Sequence, residues 1–390
     1  MLTLIKNGEV YGPDYLGKQD ILLAGNKIAM IEKNIPIPQG LETKVIDASG
    51  KKVVPGFIDS HVHLLGGGGE GGFKTRTPEI TLTDITKGGV TTVVGCLGTD
   101  GFTRDMKSLV AKTRGLEEEG ISAYCYTGSY QVPVRTTTGS IQEDLILIDK
   151  IIGVGEIALS DHRSSQPTVA ELERLTAEAR VGGILSGKAG VVNIHLGSGK
   201  RALQYLEEII DNTEIPPTQF LPTHMNRDED LFQKALAYGK KGGLMDFTTS
   251  TTKKFLAEGE PKCSTALLRA LKAGIKLEQI TFSSDGQGSL PDFDEHGNYI
   301  GLQVGKVTSL YDEVRDAVLN EELELATALA VITVNPAKIL KLKSKGEIKK
   351  GHDGDLVILE DESLEIDTVI AMGRVMIENK EILVKGTFED

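Results

Sequence analysis

Two histidines stand two residues apart in the stretch FIDSHVHLLGGGGEGG, which covers residues 57–72. Side chains at positions i and i+2 of a strand project from the same face, so His61 and His63 can offer two imidazoles to one metal ion. Taken alone, such a pair is more often structural or exposed than metal-binding. The glycines and Glu70 that follow fit either a loop that folds over a site or a plain flexible turn.

Other polar side chains decide between these interpretations. Four further candidate ligands lie in or near the ends of β-rich apolar runs, where an unpaired polar group costs stability: Glu156, His195, His224 and Asp285. Either of these histidines alone fits a satisfied core residue, and Asp285, which precedes a glycine, fits a turn. Together with the histidine pair they exceed one tetrahedral site, so the sequence predicts two divalent ions, with Zn²⁺ expected and Glu156 as the bridge.

A repeating pattern of elements positions these residues. Short β-rich runs alternate with segments whose apolar spacing suits helices that end at glycine. Eight runs are predicted as strands, at 53–63, 91–98, 122–130, 151–161, 191–197, 220–225, 244–250 and 280–286. Eight such βα units predict an α/β fold, the (β/α)₈ TIM barrel, whose active site lies at the carboxyl ends of the strands.

The two ends of the chain have a different pattern, with short alternating strands broken by turn residues. Residues 1–52 and 346–390 therefore predict a small β-sandwich domain built from both termini. The barrel, residues 53–345, would be inserted between them.

Composition excludes several classes of function. The 390 residues carry a net charge of −13 and no basic cluster, which argues against a nucleic-acid partner. No run of about 18 apolar residues occurs, and the first residues do not resemble a secretion signal, so we expect a cytoplasmic protein with no membrane contact. The three cysteines are far apart and are predicted to be ordinary buried thiols: Cys96, Cys125 and Cys263.

Three other histidines have loop-like surroundings. His162, in SDHRSS, is expected to pack near the candidate site or to support it. His296 and His352 are expected to be exposed to solvent.

Longer motifs give the chain a specific resemblance. PGFIDSHVH, the spacing of His195, His224 and Asp285, and TVNPAKIL followed by KGEIKKGHDGDLVIL are similar to the amidohydrolase superfamily. A second set resembles, more narrowly, the bacterial isoaspartyl (β-aspartyl) dipeptidases: FIDSHVHLLGGGGEGG, TRTPE, GCLGTDG, YTGSYQVPVRTTTGS, SDHRSS, LPTHMNRD, SSDGQGS and VKGTFED. These motifs span nearly the whole chain.

The resemblance implies a metallo-dipeptidase that forms homo-oligomers. The expected reaction is hydrolysis of β-aspartyl dipeptides, by attack of a metal-bridging hydroxide on the amide formed by the aspartyl side chain. Two alternatives stay open at this point. One is a cyclic amidohydrolase similar to dihydroorotases or hydantoinases, and the other is a non-catalytic scaffold of the same fold.

The resemblance also implies a role for each matching residue. His61 and His63 match ligands of the more buried metal, and the ligands of the second metal match His195 and His224. Asp285 matches an aspartate that also moves the proton, and Tyr130 matches a tyrosine that polarises the scissile carbonyl. The remaining matches are to residues that contact substrate: Glu70 at the α-amino group, Arg163, Arg227 and Ser289 at the carboxylates, and Thr99 elsewhere in the pocket. For the two arginines, surface ion pairing is the plainer alternative.

One position departs from the pattern of that family. Its fourth strand carries a carbamylated lysine that bridges the metals, whereas counting along this chain places Gly155 or Glu156 there. Lys150 and Lys188 lie before strands and are poor substitutes. We therefore expect Glu156 to supply the bridging carboxylate, with no carbamylated lysine.

Overall fold

The structure, a computed structural model, describes residues 2–293 and 299–390. His296 lies outside the described residues. His352 is partly buried, where exposure was expected, because it lies against β-structure and its carbonyl accepts a hydrogen bond from the Ile28 backbone N–H at 2.9 Å. Among the described residues, no helix is long and apolar enough to cross a membrane.

The strands fall into four groups that share hydrogen bonds. In chain order the described residues form β1 (Leu2–Tyr11), β2 (Tyr15–Ala24), β3 (Lys27–Glu32), β4 (Thr43–Asp47), β5 (Lys51–Pro55), β6 (Phe57–Val62), β7 (Val90–Gly95), β8 (Ser122–Thr127), β9 (Ile151–Leu159), β10 (Val191–Leu196), β11 (Phe220–Thr223), β12 (Met245–Thr248), β13 (Ile280–Ser283), β14 (Ser289–Phe293), β15 (Tyr299–Val304), β16 (Leu356–Glu360), β17 (Ile366–Ala371), β18 (Arg374–Glu378) and β19 (Glu381–Ile382).

The α-helices lie mainly between the strands of the central part. They are α1 (Leu82–Thr86), α2 (Met106–Glu119), α3 (Ile141–Leu147), α4 (Val169–Ser186), α5 (Gln204–Asn212), α6 (Glu229–Lys240), α7 (Lys253–Ala257), α8 (Cys263–Lys272), α9 (Ser309–Leu319), α10 (Leu325–Ala330) and α11 (Val334–Ile339).

Parallel strands carry the candidate site. Six of them form one sheet in the order β11-β10-β9-β8-β7-β6, and β12 pairs with β13 in a second parallel group. The Met225 backbone N–H donates to the carbonyl of Asp246 at 3.2 Å, which links β11 to β12. An isolated bridge between Val62 and Gly286 links the end of β6 to the segment after β13. The prediction of an α/β fold with parallel strands is confirmed.

Two of the longest helices, α2 and α4, begin at capping residues and end at glycine, as the sequence indicates. Asp105 caps α2 by accepting a hydrogen bond from the Ser108 N–H at 2.8 Å, and Gly120 ends the helix in the left-handed conformation. Thr168 and Glu171 form a capping box at the start of α4. Local capping chemistry thus sets the ends of these two helices between the strands.

Strands from both ends of the chain share one mixed sheet. Its order is β19-β18-β17-β16-β5-β1-β2-β3, with β4 also paired to β1. The predicted strand at 53–63 is two strands, since the chain changes partner at Gly56. The Gly56 N–H donates to the carbonyl of Asp355, just before β16 of the terminal sheet, whereas the Phe57 N–H donates to the carbonyl of Gly89 beside β7. β5 therefore crosses the predicted boundary at residue 52, and the predicted domain limits and sandwich stay predictions.

Candidate metal centre and active site

Six predicted ligands converge at the carboxyl ends of the parallel strands. They are His61 on β6 and His63 just after it, Glu156 on β9, His195 on β10, His224 after β11 and Asp285 after β13. Five of the six are buried: His61, His63, Glu156, His195 and His224. Five different strands thus place their polar side chains in one interior region.

Glu156 lies at the centre of this group. Its Oε2 is 3.4 Å from His61 Nε2 and 3.2 Å from His195 Nδ1. Its Oε1 is 3.4 Å from His63 Nε2, and His224 Nε2 lies 4.0 Å from Oε2. One carboxylate therefore faces four imidazoles.

Asp285 completes the group from the cavity side. Its Oδ1 lies 3.0 Å from His63 Nε2 and 3.6 Å from His61 Nε2. The carboxylate is close enough to share an ion with the histidine pair, and it also borders the cavity described below.

These side chains fit a bound cation. Among the described residues, both oxygens of Glu156, Nε2 of His61 and Oδ1 of Asp285 are buried without a hydrogen-bond partner. Such atoms cost about 1–3 kcal/mol each unless a partner is supplied, and a metal ion supplies one for all of them. Two groups of mutually close donor atoms occur, and both contain Glu156: one comprises His61, His63, Cys96 and Glu156, the other Glu156, His195 and His224.

Neighbouring side chains orient two of the imidazoles. The amide oxygen of Asn193 lies 3.1 Å from His61 Nδ1, which assigns the proton to Nδ1 and leaves the Nε2 lone pair facing Glu156. The hydroxyl of Thr248 lies 2.7 Å from His224 Nδ1. Neither partner was predicted from the sequence, although Asn193 precedes His195 by two residues in the same strand and so shares its face.

Asp161 orients the imidazole of His195. Its Oδ2 lies 3.0 Å from His195 Nε2, so this nitrogen donates and Nδ1 keeps its lone pair. The Tyr130 hydroxyl lies 2.9 Å from that Nδ1. Asp161 also accepts hydrogen bonds from the guanidinium of Arg163, with Nη2 to Oδ2 at 2.8 Å. Asp161 was not predicted as a site residue, although its position in SDHR just after β9 was an available signal.

The structure places Glu156 in the group and directs Gly155 elsewhere. A Cβ on Gly155 would lie 2.7 Å from the carbonyl oxygen of Asn193, so this residue is pressed against the neighbouring strand. Lys150 instead pairs with Glu117, away from the histidines. The structure therefore offers Glu156 as the carboxylate that matches the bridging position.

Charges and burial set the protonation of the central groups. Burial alone would raise the pKa of Glu156, but the adjacent imidazoles of His61 and His195 outweigh it and hold the pKa well below its usual range. Burial, together with the charge of Arg227, holds the pKa of His224 well below normal. Burial and the nearby charge of Glu156 raise the pKa of Tyr130 far above normal, so its hydroxyl stays a hydrogen-bond donor.

A cavity of about 770 Å³ opens above the metal-ligating group. This volume suits a small-molecule ligand. The predicted catalytic Tyr130 borders it, as do all of the predicted substrate-contact residues: Glu70, Thr99, Arg163, Arg227 and Ser289. His162 also borders it and is exposed.

Two side chains of opposite charge form an ion pair in the wall of this cavity. Arg163 Nη1 donates to Glu70 Oε1 at 3.0 Å, and the Thr99 hydroxyl donates to the same oxygen at 3.0 Å. Burial would raise the pKa of Glu70, but hydrogen bonds from its own backbone and from Thr99, with the charge of Arg163, lower it below its usual range. The cavity thus holds a carboxylate and a guanidinium side by side.

Arg227 is the second cation of the cavity. Its side chain is only partly exposed, and its guanidinium makes no hydrogen bond or ion pair with a side chain of residues 2–290 or 300–390. A partly buried guanidinium without a partner is a suitable site for a carboxylate ligand.

The glycine run folds tightly beneath Glu70. Gly68 has a positive φ of 70°, and a Cβ there would meet the carbonyl oxygen of Thr75 at 2.5 Å. The Gly67 N–H donates to the carbonyl of Gln287 at 3.0 Å, next to the segment that carries Asp285. The loop is therefore packed against the site, as expected of a loop that folds over it.

Glu260, on the cavity wall, gives a test of pH-dependent stability. Burial raises its pKa to about 7, so the folded protein holds a proton that the unfolded chain releases near its ordinary value of 4.5. The free energy of unfolding therefore falls as the pH rises from about 4.5 to about 7. We expect Glu260→Gln to gain about 1 kcal/mol of unfolding free energy over wild type between about pH 5 and about pH 8, measured by denaturant titration. Glu258→Gln, at an exposed position of the same wall, should follow the wild-type profile, and parallel profiles for Glu260→Gln would contradict the expectation.

The chain is similar to known proteins in both sequence and structure. The model of the amidohydrolase family matches residues 52–376. The chain is 47% identical to the β-aspartyl dipeptidase of the thermophilic, keratin-degrading Fervidobacterium islandicum AW-1, solved in complex with the β-Asp-Leu dipeptide; the match covers 98% of this chain and 97% of that one, with a TM-score of 0.91. A second structure of a β-aspartyl dipeptidase from the same organism matches at 45% identity, 98% coverage of each chain and a TM-score of 0.89.

A curated relative is more distant. The dihydroorotase of Elusimicrobium minutum is 26% identical over 92% of this chain and 88% of its own length. The family match covers most of the chain and both solved relatives cover nearly all of it. The chain therefore belongs to the amidohydrolase family and is a hydrolytic enzyme that resembles the β-aspartyl dipeptidases.

Proposed function

We propose that this enzyme hydrolyses β-aspartyl (isoaspartyl) dipeptides in a metal-dependent reaction. The observation that carries the proposal is the ion pair of Glu70 and Arg163, which lies in the same cavity as the metal-ligating group. Support comes from the 47% identical β-aspartyl dipeptidase, whose structure contains the β-Asp-Leu dipeptide.

The charges of the cavity complement those of such a dipeptide. Its aspartyl residue carries an α-ammonium and an α-carboxylate on the same carbon. The ammonium can pair with Glu70 and the carboxylate with Arg163, which replaces the ion pair between these two side chains. The guanidinium of Arg227 and the hydroxyl of Ser289, which both line the cavity, can then bind a carboxylate of the substrate. Thr99 holds Glu70 in place through its hydroxyl.

The mechanism follows from the protonation of the residues around the scissile amide. Bound metal supplies Lewis acidity and lowers the pKa of water toward about 7. Asp285, an ionised carboxylate at the cavity edge, accepts the proton of the attacking water and delivers it to the leaving amine nitrogen as the C–N bond breaks. Tyr130, which stays protonated, donates a hydrogen bond to the oxygen on which negative charge develops.

The metal assignment extends this proposal. His61, His63, His195, His224 and Asp285 would hold two ions, expected to be Zn²⁺, with the carboxylate of Glu156 between them and no carbamylated lysine. The two donor groups that share Glu156 support this arrangement.

Three further features are proposed at the level of the whole chain. The parallel strands β6–β13 would close into a (β/α)₈ barrel, supported by the backbone contacts that join β11 to β12 and β6 to the end of β13. Residues 1–52 and 346–390 would form a terminal sandwich domain beside the barrel of residues 53–345. The cytoplasmic location and the homo-oligomeric state stay predictions.

A panel of substrates tests the assignment. Metal-loaded enzyme should cleave β-Asp-Leu with a kcat/KM at least about tenfold above that for α-Asp-Leu, dihydroorotate or an N-acyl amino acid. The cyclic substrate lacks an ammonium group, so Glu70 would repel it rather than bind it. Equal or faster turnover of dihydroorotate would instead favour a cyclic amidohydrolase, the activity named for the curated relative.

Glu70→Gln tests how the substrate's amino group is bound. Because the amide carries no charge, we expect KM for β-Asp-Leu to rise by about 10- to 100-fold, with a smaller change in kcat and unchanged metal content. Glu258→Gln is the matched control, since it makes the same substitution at an exposed position of the same cavity. A KM within twofold of wild type for Glu70→Gln would remove Glu70 from the binding site.

A further inference from the structure

Cys96 lies beside the histidine pair, directly after β7. Its Sγ is 3.9 Å from His63 Nδ1 and 3.6 Å from the carbonyl oxygen of Val62, and the residue is 1% exposed. One donor atom from each of Cys96, His61, His63 and Glu156 lies within 4.8 Å of the other three. The thiol therefore lies close enough to these residues to share a ligand with them.

Unsatisfied atoms around the thiol point to a shared ligand. Nε2 of His61 and Oε1 of Glu156 are buried and have no hydrogen-bond partner among the described residues. The sulfur also lies 3.6 Å from the carbonyl oxygen of Val62, a long contact for a hydrogen bond. Two nitrogens, one sulfur and one oxygen make a four-donor set that suits tetrahedral Zn²⁺.

We infer that Cys96 is a ligand of the more buried metal ion, together with His61, His63 and Glu156. The inference rests on the metal dependence in the proposed function but not on its substrate. On binding, the thiol releases one proton to solvent and the sulfur lone pair forms the bond to the ion, so no oxidant or reductant is required.

The thiolate has two consequences for the site. It adds a second negative charge to that of Glu156, so this donor set neutralises a divalent ion and favours soft metals such as Zn²⁺, Co²⁺ and Cd²⁺ over Mn²⁺. It also gives this ion four donors besides Asp285, so the ion stays held while that carboxylate accepts and delivers a proton.

Spectroscopy of the cobalt-loaded enzyme tests the inference independently of activity. Wild-type protein stripped of metal and reloaded with Co²⁺ should show the near-ultraviolet charge-transfer band of a cobalt–thiolate bond. Cys96→Ser should lose this band, bind the tighter ion at least about tenfold more weakly and release it to a chelator first. The matched controls Cys125→Ser and Cys263→Ser should keep the band.

A second measurement tests whether Cys96 is a metal ligand even if Cys96→Ser fails to fold. The double variant Cys125→Ser/Cys263→Ser leaves Cys96 as the only cysteine of the chain. X-ray absorption of its zinc form should show a sulfur neighbour at about 2.3 Å. Nitrogen and oxygen neighbours alone would overturn the inference. That result would leave the dipeptidase assignment intact, because the substrate panel tests it separately.

Discussion

Glu156→Gln should abolish metal binding at the shared position and lower the turnover of β-Asp-Leu by at least about a thousandfold. The carboxylate faces four imidazoles at 3.2 to 4.0 Å, and both of its oxygens lack hydrogen-bond partners in the described residues. A neutral amide removes the charge that balances the bound ions and turns one acceptor into an NH₂ group that points at them. Metal content by elemental analysis and kcat/KM measured together check this result.

A matched control separates loss of metal from loss of stability. Glu313→Gln changes another buried glutamate, which accepts a hydrogen bond from the Ser264 N–H at 2.9 Å on the helical side of the fold. This variant should keep its metal and its activity. Full metal occupancy in Glu156→Gln would show that the carboxylate is not a ligand.

The dependence of activity on added bicarbonate also tests the assignment of Glu156. If Glu156 supplies the bridging carboxylate, metal-free enzyme should regain full activity on addition of metal alone, because no lysine has to be carbamylated. The described structure has Lys150 paired with Glu117, and Lys188 donates to the carbonyl of Leu145 at 2.7 Å. Activity that depends on added bicarbonate would contradict the assignment of Glu156.

Asp285→Asn should lower kcat by about 10²- to 10⁴-fold at saturating metal, with little change in KM. Burial would raise the pKa of this carboxyl, but its contact with His63 lowers the pKa below the usual value, so Asp285 is ionised at neutral pH. An asparagine keeps the shape of the side chain but cannot accept the proton of the attacking water. Steady-state kinetics with measured metal content checks the prediction.

The control for this variant changes a different aspartate of the cavity. Asp100→Asn removes a carboxylate that pairs with Arg76 and borders the cavity without touching the metal-ligating group. It should retain kcat within a fewfold of wild type. If Asp285→Asn, fully loaded with metal, turned over within tenfold of wild type, another group would have to move the proton.

Local patterns were sufficient to predict most of the parallel part of the fold. Strand length, apolar runs and glycine or capping residues depend on neighbours in the chain, and they placed β7 to β13 close to their observed positions. The six candidate ligands were also predictable, because polar side chains at the ends of apolar strands are costly without partners. The structure brings all six together.

Partners distant in sequence could not be predicted in the same way. β5 pairs with β16 across some three hundred residues, and the change of partner at Gly56 depends on which sheet each backbone N–H reaches. The local alternation of polar and apolar residues is the same for a strand in either sheet. A single strand was therefore predicted where the structure has the end of β5 followed by β6. The contact of Asp161 with His195 is likewise set by the packing of β9 against β10.

By itself the sequence determined the kind of chemistry, because histidines and carboxylates at strand ends require a metal or a proton partner. Only the tertiary structure decided which neighbours complete the site. It directed Glu156 rather than Gly155 toward the histidines and brought Cys96 from an adjacent strand end to His63. It also joined Glu70 to Arg163 across the cavity. These contacts depend on how the strands and loops pack in three dimensions, which spacing along the chain does not specify.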